Sequence, residues 1–176
     1  MRMRMVSVVA LAVLAGAMAF ADDDDARACA AAVKTAKVTP MQAVEIALKA
    51  AGEGAVAYEM EVEIDDGIAV YEVRICKLGN RHTVDVGCEN GQIVKQSSRG
   101  ELKFGLYKWD RITKTIIEAM ETALKKFPGQ IIDVDLTDTM GNPKFLVDIY
   151  ADGIVKELEV NCSTGQVTKI KVEDDD

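Results

Sequence analysis

Apolar residues along this chain follow two periods in turn, first helical and then alternating, and this succession occurs twice. Val44, Leu48 and Ala51 mark one stripe at helical spacing, and Met120, Leu124 and Phe127 mark another. Thr39-Pro40-Met41-Gln42 supplies an N-cap threonine, a proline at the first helical position and a glutamine at the third, the chemistry of a capping box. Thr115 and Glu118 repeat that spacing. Gly52 and Gly54 stop the first predicted helix, and Pro128-Gly129 the second.

After each helix the period becomes two. Val56, Tyr58, Met60, Val62 and Ile64 alternate with Ala57, Glu59, Glu61 and Glu63, which predicts a strand with one apolar and one charged face. Tyr71, Val73 and Ile75, then Val84, Val86 and Cys88, continue the inner face, and Asn90-Gly91 predicts a tight hairpin into Gln92 to Gln96. The second copy runs through Ile132, Val134 and Leu136, then Phe145, Val147 and Ile149, then Leu158, Val160 and Cys162, and turns at Thr164-Gly165. Each copy predicts one helix packed on a four-stranded antiparallel sheet, so the fold class is α+β with two tandem repeats.

The copies align without a gap at an offset of 74 residues from "YEVRICKLGNRHTVDVGCENGQIVK" to "FLVDIYADGIVKELEVNCSTGQVTK". Upstream, "TPMQAVEIALKAA" meets "TIIEAMETALKKF" at an offset of 76, and the connection between the blocks absorbs the difference at small cost. Two homologous units fit this better than a solenoid, which needs three or more. The expected division is a signal peptide at 1–21, an acidic and alanine-rich segment at 22–37, repeat one at 38–98, a linker at 99–110, repeat two at 111–172 and an acidic tail at 173–176.

The opening "MRMRMVSVVALAVLAGAMAFADDDD" carries two arginines, an uncharged apolar run and the triplet Ala19-Phe20-Ala21 ahead of acid, which reads as a cleavable secretory leader. Export to the periplasm or the medium follows, without stable membrane insertion after cleavage. Losing Arg2 and Arg4 takes the formal charge from −8 to −10. A chain of that charge repels nucleic acid and anionic lipid.

With helix, strand and hairpin in view, "VTPMQAVEIALKAA", "AVYEVRI" and "VDVGCENGQIV", followed by "FLVDIY" and "LEVNCSTGQV", resemble the PepSY domain in tandem, from Val38 to about Val172. The arrangement also resembles the architecture of beta-lactamase inhibitory protein, in which paired sheets present a binding surface. The resemblance implies a small non-catalytic module of the kind found in propeptides that inhibit secreted peptidases and in cell-envelope proteins that bind partners. Gly87 and Asn161 stand where the family's hairpin commonly has aspartate, and Asn90 replaces its threonine in copy one.

Four cysteines in an exported chain raise the question of disulfides. With Gly79-Asn80 as a two-residue turn, Cys76 pairs with Thr83 and Cys88 with Tyr71, which leaves the two cysteines about 15 Å or more apart at ~3.3 Å per residue, beyond disulfide reach. Cys88 and Cys162 read as small buried hydrophobes, and Cys29 and Cys76, expected at the surface, form the candidate disulfide. No cysteine or histidine spacing suits zinc, and no cofactor is expected. His82, the one histidine, reads as a solvated residue beside a turn, and no nucleophile is placed to act with it, so the chain does not read as an enzyme.

Carboxylates remain. Glu59, Glu61, Glu63, Glu72 and Asp85 are expected on the outer sheet face of copy one, and Asp133, Asp135, Asp148, Glu157 and Glu159 on that of copy two. One reading is a solvated face that resists aggregation. Another is a surface for a basic protein partner, an envelope protein or a peptidase, with Glu59, Glu61, Glu63, Asp133 and Asp135 as candidate contacts beside the linker aromatics Phe104, Tyr107 and Trp109. The alternative function is an acidic envelope protein that binds or buffers divalent cations, although no calcium loop motif is present.

Overall fold

Both threonine caps form as the spacing predicts. Thr39 opens α2 (Pro40–Ala51) and Thr115 opens α3 (Ile116–Lys126); each hydroxyl accepts from the N–H of the third helical residue, whose side chain accepts in return from the threonine N–H. The residues under the helices correspond position by position: Pro40, Ala43, Val44 and Ala47 are buried in α2, and Ile116, Ala119, Met120 and Ala123 in α3. The small alanines let each helix approach the sheet closely, while Leu48 and Leu124 lie half-buried at the rim.

The computed structural model describes residues 23–65, 67–101, 111–139 and 141–173. The expected leader, the linker aromatics Phe104, Tyr107 and Trp109, and residues 174–176 of the acidic tail lie outside them. The N-terminal segment forms a helix that the sequence reading did not anticipate, α1 (Asp23–Thr35). Its spacing of Ala26, Cys29 and Ala30 is helical, but the side chains are too small to signal a buried stripe by hydropathy.

The strands are β1 (Val56–Asp65), β2 (Ile68–Lys77), β3 (Asn80–Gly87) and β4 (Ile93–Glu101) from the first repeat. The second adds β5 (Gln130–Thr139), β6 (Asn142–Ala151), β7 (Ile154–Asn161) and β8 (Val167–Glu173). They do not make two separate sheets. All eight join in one antiparallel sheet of order β4-β3-β2-β1-β5-β6-β7-β8. The seam is the β1–β5 pairing, where Glu59 faces Asp135, Met60 faces Val134 and Glu61 faces Asp133. Because equivalent positions differ by 74, the Met60–Val134 pair lies on a pseudo-two-fold axis, and α2 and α3 pack side by side on one face of the sheet.

Three local expectations shift. The hairpin between β2 and β3 turns at Leu78-Gly79, both at positive φ, and Asp152-Gly153 does the same in the second repeat. Cys76 therefore pairs with Arg81 and Tyr71 with Val86, two residues from the predicted register, a slip that keeps every side chain on its expected face. Bulges after Ala57 and after Ile131 reverse the alternation at the strand starts, so Ala57 is buried and Val56 exposed. Ile64, expected inside, lies exposed at the far end of β1.

The core is continuous across the seam, with Met60, Tyr71, Val73, Ile75, Val134, Phe145, Val147 and Ile149 all sealed from solvent. The duplicated hairpin phrase has a mechanical role here. The carbonyl of Cys88 accepts from the N–H groups of Lys37 and Val38 at 3.1 and 3.2 Å, and that of Cys162 from Thr113 and Lys114 at 3.0 and 2.9 Å. Each cysteine ties the chain entering a helix to the end of the third strand of its repeat. Its thiol fills the space below.

Candidate functional site

The helices cover one face of the sheet, and the other carries the charged positions of the alternating strands. Joining β1 to β5 brings the two sets of carboxylates into one surface. Reading across the strands, Lys95, Asp85, Glu72, Glu61, Asp133, Asp148, Glu157 and Lys171 are successive cross-strand neighbours, one from each of the eight strands. Six carboxylates stand in line between two lysines. Adjacent strands lie about 4.8 Å apart, and like charges directly opposite one another destabilise a sheet.

The lysines pair with the ends of this row. Lys95 Nζ lies 3.8 Å from Asp85 and Lys171 Nζ 2.6 Å from Glu157. Arg74 donates to Glu59 in the parallel row and, at 2.8 Å, to Glu72 in this one, while Lys144 holds Glu159 at 2.7 Å. No lysine or arginine among the described residues forms an ion pair with Glu61, Asp133 or Asp135. At the seam the carboxylates therefore have no direct ion pair, and Glu61 and Asp135 feel Arg74 only at longer range.

Proton affinities follow that distribution. Burial, opposed by Arg74 and reinforced by Asp135, pushes Glu59 up to about 7. Burial pushes Asp135 up to about 6 and, with Asp148 and Glu61 close by, raises Asp133 well above the usual carboxylate range. Glu61 and Glu63 are raised mainly by burial as well. Glu159 moves the other way, because Lys144 donates to its charged form. Raised carboxyls thus gather on the two central strands, with ion pairs on both flanks, at Glu59, Glu72 and Asp85 on one side and at Glu157 and Glu159 on the other.

The five candidate carboxylates Glu59, Glu61, Glu63, Asp133 and Asp135 all belong to the two central strands, and the structure brings both repeats' contributions together. Nothing local in either repeat shows that β1 and β5 pair; the symmetry of the duplication was the one available signal. The described residues contain no group of three or more histidine, cysteine or acidic side chains arranged to hold a metal ion.

Cys88 and Cys162 are buried as expected, whereas Cys29 departs from expectation. All four are free thiols. Cys29 is buried, not exposed, and its Sγ donates to the Val62 carbonyl at 3.2 Å. Cys76 pairs with Val56 at the opposite end of β1, so the structure does not bring Cys29 and Cys76 together. Burial pushes the thiols of Cys88 and Cys162 up to about 11 and about 12, which keeps them protonated and unreactive at neutral pH. His82 lies within β3 beside the Leu78-Gly79 turn, half-buried opposite Ile75 where full solvation was expected.

A profile of the family described as "Peptidase propeptide and YPEB domain", PepSY, matches the chain at residues 37–97 and again at 116–171. The chain belongs to the PepSY family. The first match begins at the segment anchored on Cys88 and the second at α3, both reach the fourth strand of their repeat, and the seam carboxylates come from the first strand of each. Among solved structures, a crystal structure of a "putative lipoprotein" from Clostridium difficile 630 is 20% identical, with a TM-score of 0.48, over 78% of this chain and 95% of that one. No curated protein matches the chain.

Proposed function

We propose that this tandem PepSY protein is an exported, non-catalytic binding module that holds a protein partner on the open face of its sheet, regulating or inhibiting a secreted or envelope peptidase or another envelope protein. The observation that carries the proposal is the line of carboxylates from Asp85 to Glu157, in which Glu61 and Asp133 meet at the seam with no ion pair among the described residues. A partner presenting lysines or arginines to Glu59, Glu61, Glu63, Asp133 and Asp135 replaces protons there and relieves repulsion between neighbours. PepSY membership supports the peptidase-directed reading through the propeptide role in the family's description. The leader-like N-terminus supports export, and no helix among the described residues is long and apolar enough to cross a membrane.

The test is capture of partners from an envelope extract by the mature chain, followed by the same experiment with Glu61→Arg and Asp135→Arg. Loss of the captured protein in both variants, and release of it from the parent chain by moderate salt, is the expected result. Capture that withstands both charge reversals removes the sheet face from the proposal. Titration with calcium or zinc in a calorimeter tests the divalent-cation alternative; heat at micromolar metal would transfer the role of these carboxylates to a cation.

A further inference from the structure

The open face of the sheet is not the same in the two repeats. Two residues along the strands from the carboxylate row, the first repeat reads Glu63, Val70 and Gly87 across β1, β2 and β3, where the second reads Thr137, Lys144 and Asn161. Val94 of β4 stands next to Gly87 where the second repeat has Thr168, and Ile68 stands where it has Asn142. Polar side chains close this area in the second repeat: Asn161 Nδ2 donates to Asn142 at 3.2 Å, Lys144 holds Glu159 at 2.7 Å, and Thr168 Oγ1 donates to the Glu159 carbonyl at 3.3 Å. In the first it is apolar. Ile68 and Val94 are 59% and 57% exposed, and Val70 is buried on this face, apart from the core.

A displaced hairpin cap makes the difference. Asn161 Oδ1 accepts from the N–H groups of Ser163 and Thr164, both at 2.9 Å, so the second hairpin is capped from its strand. In the first, Asn90 caps from within the turn, accepting from Gln92 N–H at 2.9 Å, and a Cβ on Gly87 would lie 2.9 Å from its Oδ1. Moving the cap thus requires glycine at position 87 and clears the face between Ile68 and Val94. A cleft of about 510 Å³ opens there at the end of the sheet, walled on its far side by Ala32, Ala36 and Lys37. Lys37 is taken up by Glu89 at 3.4 Å, whereas Glu63 has no ion pair among the described residues. A carboxylate beside an exposed apolar cleft favours a ligand that is basic at one end and apolar at the other. Glu63 and Gly87 lie two strands apart, about 10 Å at ~4.8 Å per strand, a distance an extended segment covers in about three residues. We infer that the cleft receives a leucine or phenylalanine side chain of an extended partner segment whose lysine or arginine, three positions away, pairs with Glu63. Such an anchor presupposes the sheet-face binding proposed above, and it orients the partner, with its apolar end over the first repeat.

The test titrates the mature chain with an acetylated, amidated peptide holding Lys-Ser-Ser-Phe between glycine-serine flanks and follows backbone amide chemical shifts. Amides of Glu63, Val70, Gly87 and Val94 should move, while those of Thr137, Lys144, Asn161 and Thr168 stay in place. Replacing the peptide's phenylalanine by serine, or its lysine by glutamate, should weaken binding several-fold, and neither change touches the fold. Ile68→Asn combined with Val94→Thr, which copies the second repeat at two exposed positions, should weaken it to the same degree with the dispersion of the spectrum unchanged. Movement of the seam amides Glu61, Asp133 and Asp135 alone, indifferent to the phenylalanine, overturns the anchor and leaves the charged face as the binding surface. No movement at millimolar peptide overturns the inference, while the capture experiment with Glu61→Arg and Asp135→Arg decides the broader reading by itself. A parent chain that elutes as a dimer, and as a monomer once Ile68→Asn and Val94→Thr are present, overturns it too, since a second copy would then be the occupant.

Discussion

Met60 and Val134 are the same position of the two repeats, and they face each other across the β1–β5 seam, both sealed from solvent. A duplicated unit that pairs with its own copy in this way behaves as a fused dimer, with an isologous contact through the shared strand. The hydrophobic core and the carboxylate row both cross at this pair. Truncating it should therefore weaken the whole molecule. Met60→Ala is expected to cost about 2–5 kcal/mol, and denaturant unfolding should stay a single transition with a lower midpoint; two separated transitions would mean that the repeats unfold independently.

Acidification should strengthen the fold over the range in which most acidic proteins begin to weaken. Glu59 and Asp135 carry folded-state values of about 7 and about 6, above their ordinary 4.5 and 3.8. A group raised on folding contributes its stability fully below the ordinary value and loses it as pH rises through the folded one. Melting temperature should accordingly rise as pH falls from 8 to 5. Glu118 and Glu159, whose values are lowered, act in the opposite sense only at more acidic pH. The double variant Glu59→Gln, Asp135→Asn should flatten the slope, and a parent chain with no slope between pH 5 and 8 would contradict the electrostatic account of the seam.

The capping boxes give a local test in two equivalent settings. Thr115 accepts from Glu118 N–H at 3.2 Å, and the Glu118 carboxylate accepts from Thr115 N–H at 2.8 Å. Thr115→Ala leaves the Glu118 N–H to water, while the backbone N–H of residue 115 keeps the Glu118 carboxylate, and should cost about 1 kcal/mol, within a range of roughly 0.5–2. Thr39→Ala in the first repeat should cost a similar amount, read as a shift in urea midpoint at unchanged slope.

Gly129 and Ala55 are equivalent positions, yet only one tolerates a methyl group. A Cβ on Gly129 would lie 2.5 Å from Ile149 Cγ2 and 2.7 Å from the Tyr150 carbonyl. The close approach of the α3–β5 connection to β6 is what requires glycine here. Gly129→Ala should destabilise by about 1–3 kcal/mol, the usual range for overpacking, whereas Ala55→Gly should change little beyond backbone entropy. Thermal melts of the two variants side by side would separate them.

Much of this molecule was legible from short-range pattern. The threonine caps at Thr39 and Thr115, the helical stripes, the alternating strands and the glycine turns each rest on contacts between residues near in sequence, so local spacing determined them. The same alternation assigned the ten outer carboxylates to one face within each repeat, and PepSY membership followed from the order of those elements. Where the bulges fall at Ala57 and Ile131, and where the turn at Leu78-Gly79 sets the register, depended on strand pairing that alternation alone does not encode.

Tertiary structure decided the rest. The β1–β5 seam joins residues more than seventy positions apart through backbone hydrogen bonds, which carry no sequence signature, and only that pairing turns two charged faces into one row with Glu61 beside Asp133. Helix α1 is equally a product of context, since Ala26, Cys29 and Ala30 gain their burial from a groove that another part of the chain provides. Sequence by itself determined two repeats and their faces. Their union across Met60 and Val134 was set by the long-range packing free energy of the completed sheet.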